Sequence, residues 1–358
     1  MSHKHNHIQS CKLSNTDAIK DIIQPCNIVI KDTLDKEKFR YKSMLKPCSI
    51  TLEKINDTDS TIITESPSRK KYLFLPQKLN NPKNHCYVNS VLQAIFRILK
   101  DYKEEINFKP NPEGNLIKLL MKCISPEFQI SLESFKQELS NHNGFFDGIR
   151  QQDAYECLVM LLDVLHVGTK TCLIDGGDNL ELEDDLFTSV TKNLFVCTVK
   201  ITLICTHCEH TCHNLSEMQS FTINPINNHN ITDLLKANFS GNVTKFCNVC
   251  NIDTIHLEKI IIQHPPKILI ILVNRFDFTS IGRKNNAEIV VNKVTECNGY
   301  QFEILASIDH HGMTTSAGHY TTNIFYNDLI YSCNDNVIRE IEFTKKSKLA
   351  YILFYNRQ

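Results

Sequence analysis

Two short cysteine knuckles constrain this chain more than any other feature: Cys205-Thr-His-Cys208 and Cys247-Asn-Val-Cys250. A C-x-x-C turn aims two thiols at one point, and two such turns supply the four vertices that tetrahedral Zn²⁺ prefers. Each knuckle follows a β-like run, so each is expected at a strand tip. The gap between them is longer than in a compact zinc ribbon, and a β-hairpin extension is expected to fill it. His207, Cys212 and His213 are alternative ligands, so the metal is better defined than its ligand set. A fold for this chain must therefore bring two distant segments together.

The other cysteines argue in the same direction. There are 15, an odd number, in a chain of 358 residues. A secreted disulfide framework uses even numbers and shorter chains. The N-terminal stretch carries Lys4, Lys12, Asp17 and Lys20 without an apolar run, so no signal peptide is expected. Reduced thiols in an intracellular protein, cytoplasmic or nuclear, fit better. The formal net charge is −1, from 39 basic and 40 acidic side chains. That balance disfavours a nucleic-acid or membrane-surface binder. The longest clean apolar run, Ile268–Val273, is far too short to span a bilayer.

Patterning divides the chain. Residues 1–75 are polar, with His3, His5 and His7 alternating, and are expected to be a tail or a small module. From about Leu75 the periodicity strengthens. Val88, Val91, Leu92, Ile95, Phe96 and Leu99 form a helical stripe. Residues 115–139 read as two helices broken at Ser125-Pro126. Asp153 fits an N-cap with Glu156 at the reciprocal position, followed by a face of Ala154, Leu158, Leu161, Leu162 and Leu165. Beyond about Phe195, β-branched runs dominate: 195–204, 258–262, 268–273, 302–308, 320–326 and 329–332. Helices first and strands after define an α+β domain.

Two candidates for nucleophilic chemistry stand out. Cys86 sits where a helix begins, and the free N–H groups and partial positive charge there favour a thiolate. His319 follows Ala317-Gly318, small residues that permit close approach. Asn327-Asp328 reads as a two-residue hairpin loop. In that register Asn334 lies opposite Thr321, on the face of His319 and one diagonal away. Asn334 is thereby placed to orient the imidazole, and Asp335 is expected to point to the other face, where it aids an oxyanion or caps the strand end.

These residues resemble a known family. Leu79-Asn-Asn-Pro-Lys-Asn-His-Cys86-Tyr-Val-Asn-Ser-Val-Leu-Gln93 is similar to the Cys box of ubiquitin-specific proteases, commonly G-L-x-N-x-G-N-T-C-Y-x-N-S-x-L-Q. Gln151-Gln152-Asp153-Ala154-Tyr155-Glu156 resembles their Q-Q-D-A-x-E segment, and Gly318-His319-Tyr320 their His box. Val273-Asn274-Arg275-Phe276 resembles their L-K-R-F strand, and Tyr351–Tyr355 their closing strand. The knuckles fall where that family carries its zinc-binding fingers. The resemblance covers roughly residues 76–357, and residues 76–358 are the expected catalytic domain.

The resemblance implies a papain-like cysteine protease fold of thumb, palm and zinc-binding fingers, and a deubiquitinase that hydrolyses the bond after the C-terminal Gly of ubiquitin. By motif position Cys86 is the nucleophile, His319 the base, Asn334 the third triad member and Asn81 the oxyanion donor. Gln152, Asp153 and Tyr320 fall where the family lines the channel for the ubiquitin tail, and a structural Zn²⁺ is implied at Cys205, Cys208, Cys247 and Cys250. Ubiquitin or ubiquitinated proteins are the implied partners. Alternatives are a protease for another ubiquitin-like modifier and a catalytically weak ubiquitin-binding scaffold. The chain departs from the pattern at Lys78 and Lys83, which replace glycines, and at His85, which replaces Thr. Ile330 and Cys333 stand where the family has aromatic residues near the third triad position.

Overall fold

The computed structural model describes residues 75–124, 132–172, 187–276, 284–314 and 317–358. They lie within one unit, Phe74–Gln358. The expectations for residues 1–74, including the alternating histidines, and for the Ser125-Pro126 break fall outside the described residues.

Four helices come first: α1 (Cys86–Leu99), α2 (Pro112–Ile124), α3 (Leu132–His142) and α4 (Ala154–Thr169). A minimal pair, β1 (Thr171–Cys172) and β2 (Phe187–Thr188), and a short helix α5 (Val190–Phe195) lead into the β half. Phe195, expected to start a strand, closes α5 instead, because Ser189 caps that helix by accepting from the Lys192 N–H.

The α1 stripe proves to be part of something larger. All 14 residues of the helix are buried. A stripe anticipates one sheltered face, yet strands cover one side of α1 while α2 and α4 cover the other. Its polar residues are accordingly bonded: Arg97 Nε donates to the Phe325 carbonyl at 3.1 Å, and the Ser90 carbonyl accepts from Thr322 Oγ1 at 2.8 Å. In α4, Asp153 caps as expected, and Ala154, Leu158, Leu161, Leu162 and Leu165 are all buried.

The β half begins with β3 (Cys197–Cys205), β4 (Thr211–Met218), β5 (Phe221–Ile223), α6 (Ile231–Lys236), β6 (Ser240–Cys247) and β7 (Ile252–His264). It continues through β8 (Ile268–Val273), β9 (Ile289–Val290), β10 (Val294–Cys297), β11 (Tyr300–Thr314) and β12 (Ala317–Tyr326). It ends with β13 (Leu329–Asn334), β14 (Val337–Glu340), β15 (Lys346–Ser347) and β16 (Ala350–Arg357). The large sheet runs β14-β13-β12-β11-β16-β8-β5, with β10 also on β11. Its β5–β8 pair is parallel and the rest antiparallel. A separate four-stranded sheet, β4-β3-β7-β6, carries the knuckles.

Two cores sit on opposite faces of the large sheet. Along β8, Ile268 and Ile270 join the helical core, while Leu269, Ile271 and Val273 join the core beneath the four-stranded sheet. In β16, Ile352 and Phe354 face the first core and Leu353 and Tyr355 the second. Strands buried on both faces read as continuous apolar runs, which is why Ile268–Val273 lacks polar alternation.

Two residues beyond the end of β8 lies Arg275, fully buried. Its Nε donates to the Ala350 carbonyl at 2.6 Å, and its terminal nitrogens reach the carbonyls of Asn285, Ala287 and Ser347 at 2.9–3.3 Å. The side chain thus binds β16, β15 and the segment before β9 to one point. Arg275→Met would leave these carbonyls without a donor, and each such buried group costs about 1–3 kcal/mol. Urea denaturation is expected to show a loss of at least about 3 kcal/mol; a loss near zero would contradict this reading of Arg275.

Candidate active site and metal centre

The site assembles where the start of α1 meets the ends of β12 and β13. Cys86 is the first residue of α1 and is buried. The β12–β13 hairpin has the expected register, with Tyr326 opposite Leu329 and Thr322 opposite Cys333. Asn327 takes up the left-handed turn conformation with φ 54°. That register delivers Asn334 to His319: Nε2 lies 2.7 Å from the Asn334 Oδ1. An amide oxygen only accepts, so Nε2 carries the proton and Nδ1 is left for a second partner. Cys86 is the neighbour that acts most strongly on the ring. It is the main reason the His319 pKa rises to about 9, helped by Asn334 and Asp335 against the opposing effect of burial.

Asp335 corrects the sequence reading. It was expected on the far face, but its Oδ2 lies 4.0 Å from His319 Nε2. Strand alternation ends at Asn334, because Asp335 begins the turn to β14 with φ 51°. That turn swings the carboxylate back over the Cys box, where it accepts from Asn89 Nδ2 at 2.7 Å and Asn81 Nδ2 at 3.0 Å. Its own carbonyl accepts the Leu79 N–H at 3.1 Å. Asn81 is held at both ends of its amide, since Oδ1 accepts the His85 N–H at 2.8 Å. This fixes which side of the amide carries the donors.

His85, the departure beside Cys86, is buried, and among the described residues its Nδ1 has no partner. Burial first, then the charge of Lys136, holds its pKa below the usual value. Gly148 packs on the ring with φ 68°, so a Cβ there would be both strained and obstructed. The neighbouring loop is stitched to the Cys box by Asn84, whose N–H and side chain donate to the carbonyls of Gly148 and Ile149 at 3.1 Å.

Asp153 joins the helices to the sheet. Its Oδ1 caps α4, accepting from the N–H groups of Tyr155 at 2.7 Å and Glu156 at 3.1 Å. Its Oδ2 accepts the phenols of Tyr351 at 2.7 Å and Tyr320 at 3.2 Å. Burial pushes the Asp153 pKa up, and these donors oppose it. Gln152 is half-buried beside it. Gln151 is a residue the sequence reading passed over: its Oε1 accepts the Gly318 N–H at 3.0 Å, tying α4's lead-in to the residue before His319. Two further residues escaped notice. His310 is fully buried, stacks near Tyr320 and holds Lys284 Nζ at 3.2 Å on its Nδ1. Its ring occupies the space a Gly318 side chain would need, which explains the glycine. The doubled His310-His311 carried no recognisable spacing in the sequence.

The knuckles do converge. The Sγ atoms of Cys205 and Cys250 are 3.9 Å apart and those of Cys208 and Cys247 3.6 Å. All four lie within 4.8 Å of one another. A tetrahedron with Zn–S bonds of about 2.3 Å has edges of about 3.8 Å, so the cluster fits such an ion. The alternative ligands drop out. Cys212 is exposed on β4, His213 Nδ1 pairs with Thr202 Oγ1 at 3.0 Å, and His207 Nδ1 lies 3.4 Å from the Cys250 sulfur as a neighbour of the cluster. The gap is not a simple hairpin extension: the chain leaves the tip along β4, adds β5 to the large sheet, forms α6 and returns along β6.

Comparison with known proteins agrees with this architecture. The ubiquitin carboxyl-terminal hydrolase family model matches residues 77–355. The chain belongs to that family. Ubiquitin carboxyl-terminal hydrolase 2 of Bos taurus is 24% identical over 77% of this chain and 54% of its own length. Ubiquitin carboxyl-terminal hydrolase 4 of Arabidopsis thaliana is 25% identical over 76% of this chain and 90% of its own length. The chain thus spans about half the length of the mammalian relatives it matches. The fold is also similar to that in the SAGA DUB module of Ubp8, Sgf11, Sus1 and Sgf73 bound to monoubiquitin, with TM-score 0.64 at 17% identity, covering 81% of this chain and 72% of that one.

Native mass spectrometry is expected to find one divalent cation per chain, lost in a Cys205→Ser/Cys250→Ser variant. A metal-free wild-type chain whose thermal stability is unchanged in strong chelator would refute the metal centre.

Proposed function

We propose that residues 76–358 form the catalytic domain of a thiol-dependent deubiquitinase, which cleaves the isopeptide or peptide bond after the C-terminal Gly of ubiquitin. The observation that carries this reading is the relay Cys86–His319–Asn334, with its 2.7 Å bond fixing the imidazole tautomer. The names of the relatives and the ubiquitin in the neighbouring solved structure support the substrate class. The complete relay favours catalysis over a binding scaffold.

In this reading His319 Nδ1 takes the Cys86 proton and the thiolate attacks the carbonyl carbon of the terminal Gly. The Asn81 amide donates to the oxyanion, at a point where its donor side is already set by Asp335. His319 returns the proton to the departing amine, leaving a thioester. A water then gives its proton to His319 and attacks the same carbonyl, and the proton returns to Cys86 as the free carboxylate departs. Gln152, Asp153 and Tyr320 line the approach for the extended tail, Asp153 chiefly by holding Tyr320 and Tyr351 in place. The four cysteines hold a structural Zn²⁺ that fixes the finger tips. Among the described residues no helix is long and apolar enough to cross a membrane.

The pH profile tests the relay. The raised imidazole pKa keeps His319 able to return a proton to the departing amine until pH passes about 9, so kcat/KM on a fluorogenic ubiquitin substrate is expected to fall above it. Asn334→Ala should lower kcat/KM about 10²-fold. It should also move the basic limb to lower pH, because the Asn334 bond favours the protonated ring. Cys86→Ala should abolish turnover and retain ubiquitin binding. Turnover by Cys86→Ala at the wild-type rate, or a basic limb unmoved in Asn334→Ala, would overturn the assignment.

A further inference from the structure

Lys136, on α3, is 96% removed from solvent, with 4% relative exposure. A buried ammonium is costly, and such groups are retained where hydrogen bonds and counter-charge compensate. Lys136 Nζ donates to the Asn80 carbonyl at 2.8 Å. The carboxylates whose fields favour its charge are Glu133, one turn back on α3, and Asp335. The same charge is felt by His85, next to the nucleophile. The ammonium thus ties α3 to the Cys box through Asn80, and its charge is felt at His85 and favoured by the Asp335 carboxylate. The bonded carbonyl belongs to the residue immediately before Asn81, and Asp335 is the acceptor that holds the Asn81 amide.

We propose that Lys136 is a positioning residue for acyl transfer: its buried ammonium clamps the Asn80 carbonyl and sets the Asn81 amide that stabilises the oxyanion. Nothing in the reaction touches Lys136 itself. Its effect passes through the peptide between Asn80 and Asn81 and through the field at Asp335. Removing the clamp leaves that carbonyl only the longer 3.4 Å bond from Asn89 Nδ2, so the peptide is held less firmly. A displacement of about 1 Å in an oriented donor can cost up to about 10²-fold in rate. Ordinary core lysines snorkel to water, whereas this one turns inward to the loop of the nucleophile. Its pKa, lowered to about 8 mainly by burial, agrees with an ammonium that has no direct ion-pair partner among the described residues.

This inference rests on the hydrolase reading, and a double-mutant cycle tests both separately. Wild type, Lys136→Met, Asn81→Ala and the double variant are assayed on a fluorogenic ubiquitin amide, with Lys136→Arg as the charge-preserving control. Lys136→Met should lower kcat about tenfold or more with KM little changed, and in the Asn81→Ala background less than about twofold. Lys136→Arg should recover most of the loss. Equal losses in both backgrounds, a KM effect without a kcat effect, or an Arg variant as slow as Met would overturn the proposal. Lys136→Gln replaces Met if the latter does not fold; failure of both to fold, with Arg folded and active, would assign Lys136 to stability and also overturn it. Absence of wild-type turnover would instead sink the hydrolase reading, and this proposal with it.

Discussion

A helix enclosed on every side has only its ends left to meet a ligand. That constraint governs this molecule. α1 is buried throughout its length, and its N-terminal residue Cys86, itself only 3% exposed, lies at the seam between the helices and the large sheet. Most polar groups of the helix are matched by the surroundings, which offsets the cost of burying them, while Asn89 Oδ1 and Gln93 Oε1 have no partner among the described residues. Asn89 finds the Asp335 carboxylate, Arg97 finds the Phe325 carbonyl and Asp101, and the Ser90 carbonyl finds Thr322. Those matches lock the register between α1 and the β12–β13 hairpin. The relay to His319 is a consequence of that lock.

The turn after β13 has a larger role than its two residues suggest. By entering the left-handed region at Asp335, the backbone breaks the alternation of the strand and brings two consecutive side chains toward the same site. Asn334 bonds the imidazole while Asp335 braces the loop before Cys86. One hairpin therefore holds both the His319 ring and that loop.

Much of this was legible in the sequence, for identifiable reasons. The apolar periodicity of α4 and its Asp153 cap are local signals, and local structure obeyed them. The Asn327-Asp328 loop set a register that reached Asn334 without error, since a two-residue loop leaves no freedom to slip. The knuckles were legible because four thiols at that spacing have few other uses. The Asp335 orientation was not legible, because extrapolating strand alternation assumes that the strand continues. Nor were the burial of Lys136 or the His310–Lys284 pair, which arise from packing between segments far apart in sequence. A lysine in α3 reads as a solvated residue until the third dimension closes over it. The excursion between the knuckles was misjudged for a similar reason: β5 is only three residues long, below what periodicity can register.

That excursion makes the tips and the palm mechanically dependent on each other. The strand β5 hangs on the edge of the large sheet by a three-residue parallel pairing with β8, a marginal attachment for a strand on its own. Yet the chain on either side of it returns to the same four sulfurs. An ion held there closes a covalent-and-coordinate ring around β5 and α6, shrinking the volume that segment explores once it detaches. The entropy saved grows only slowly with ring size, but it is felt at a place far from the metal. The finger tip thus acts as a clasp on a bracelet whose opposite link is an edge strand of the palm.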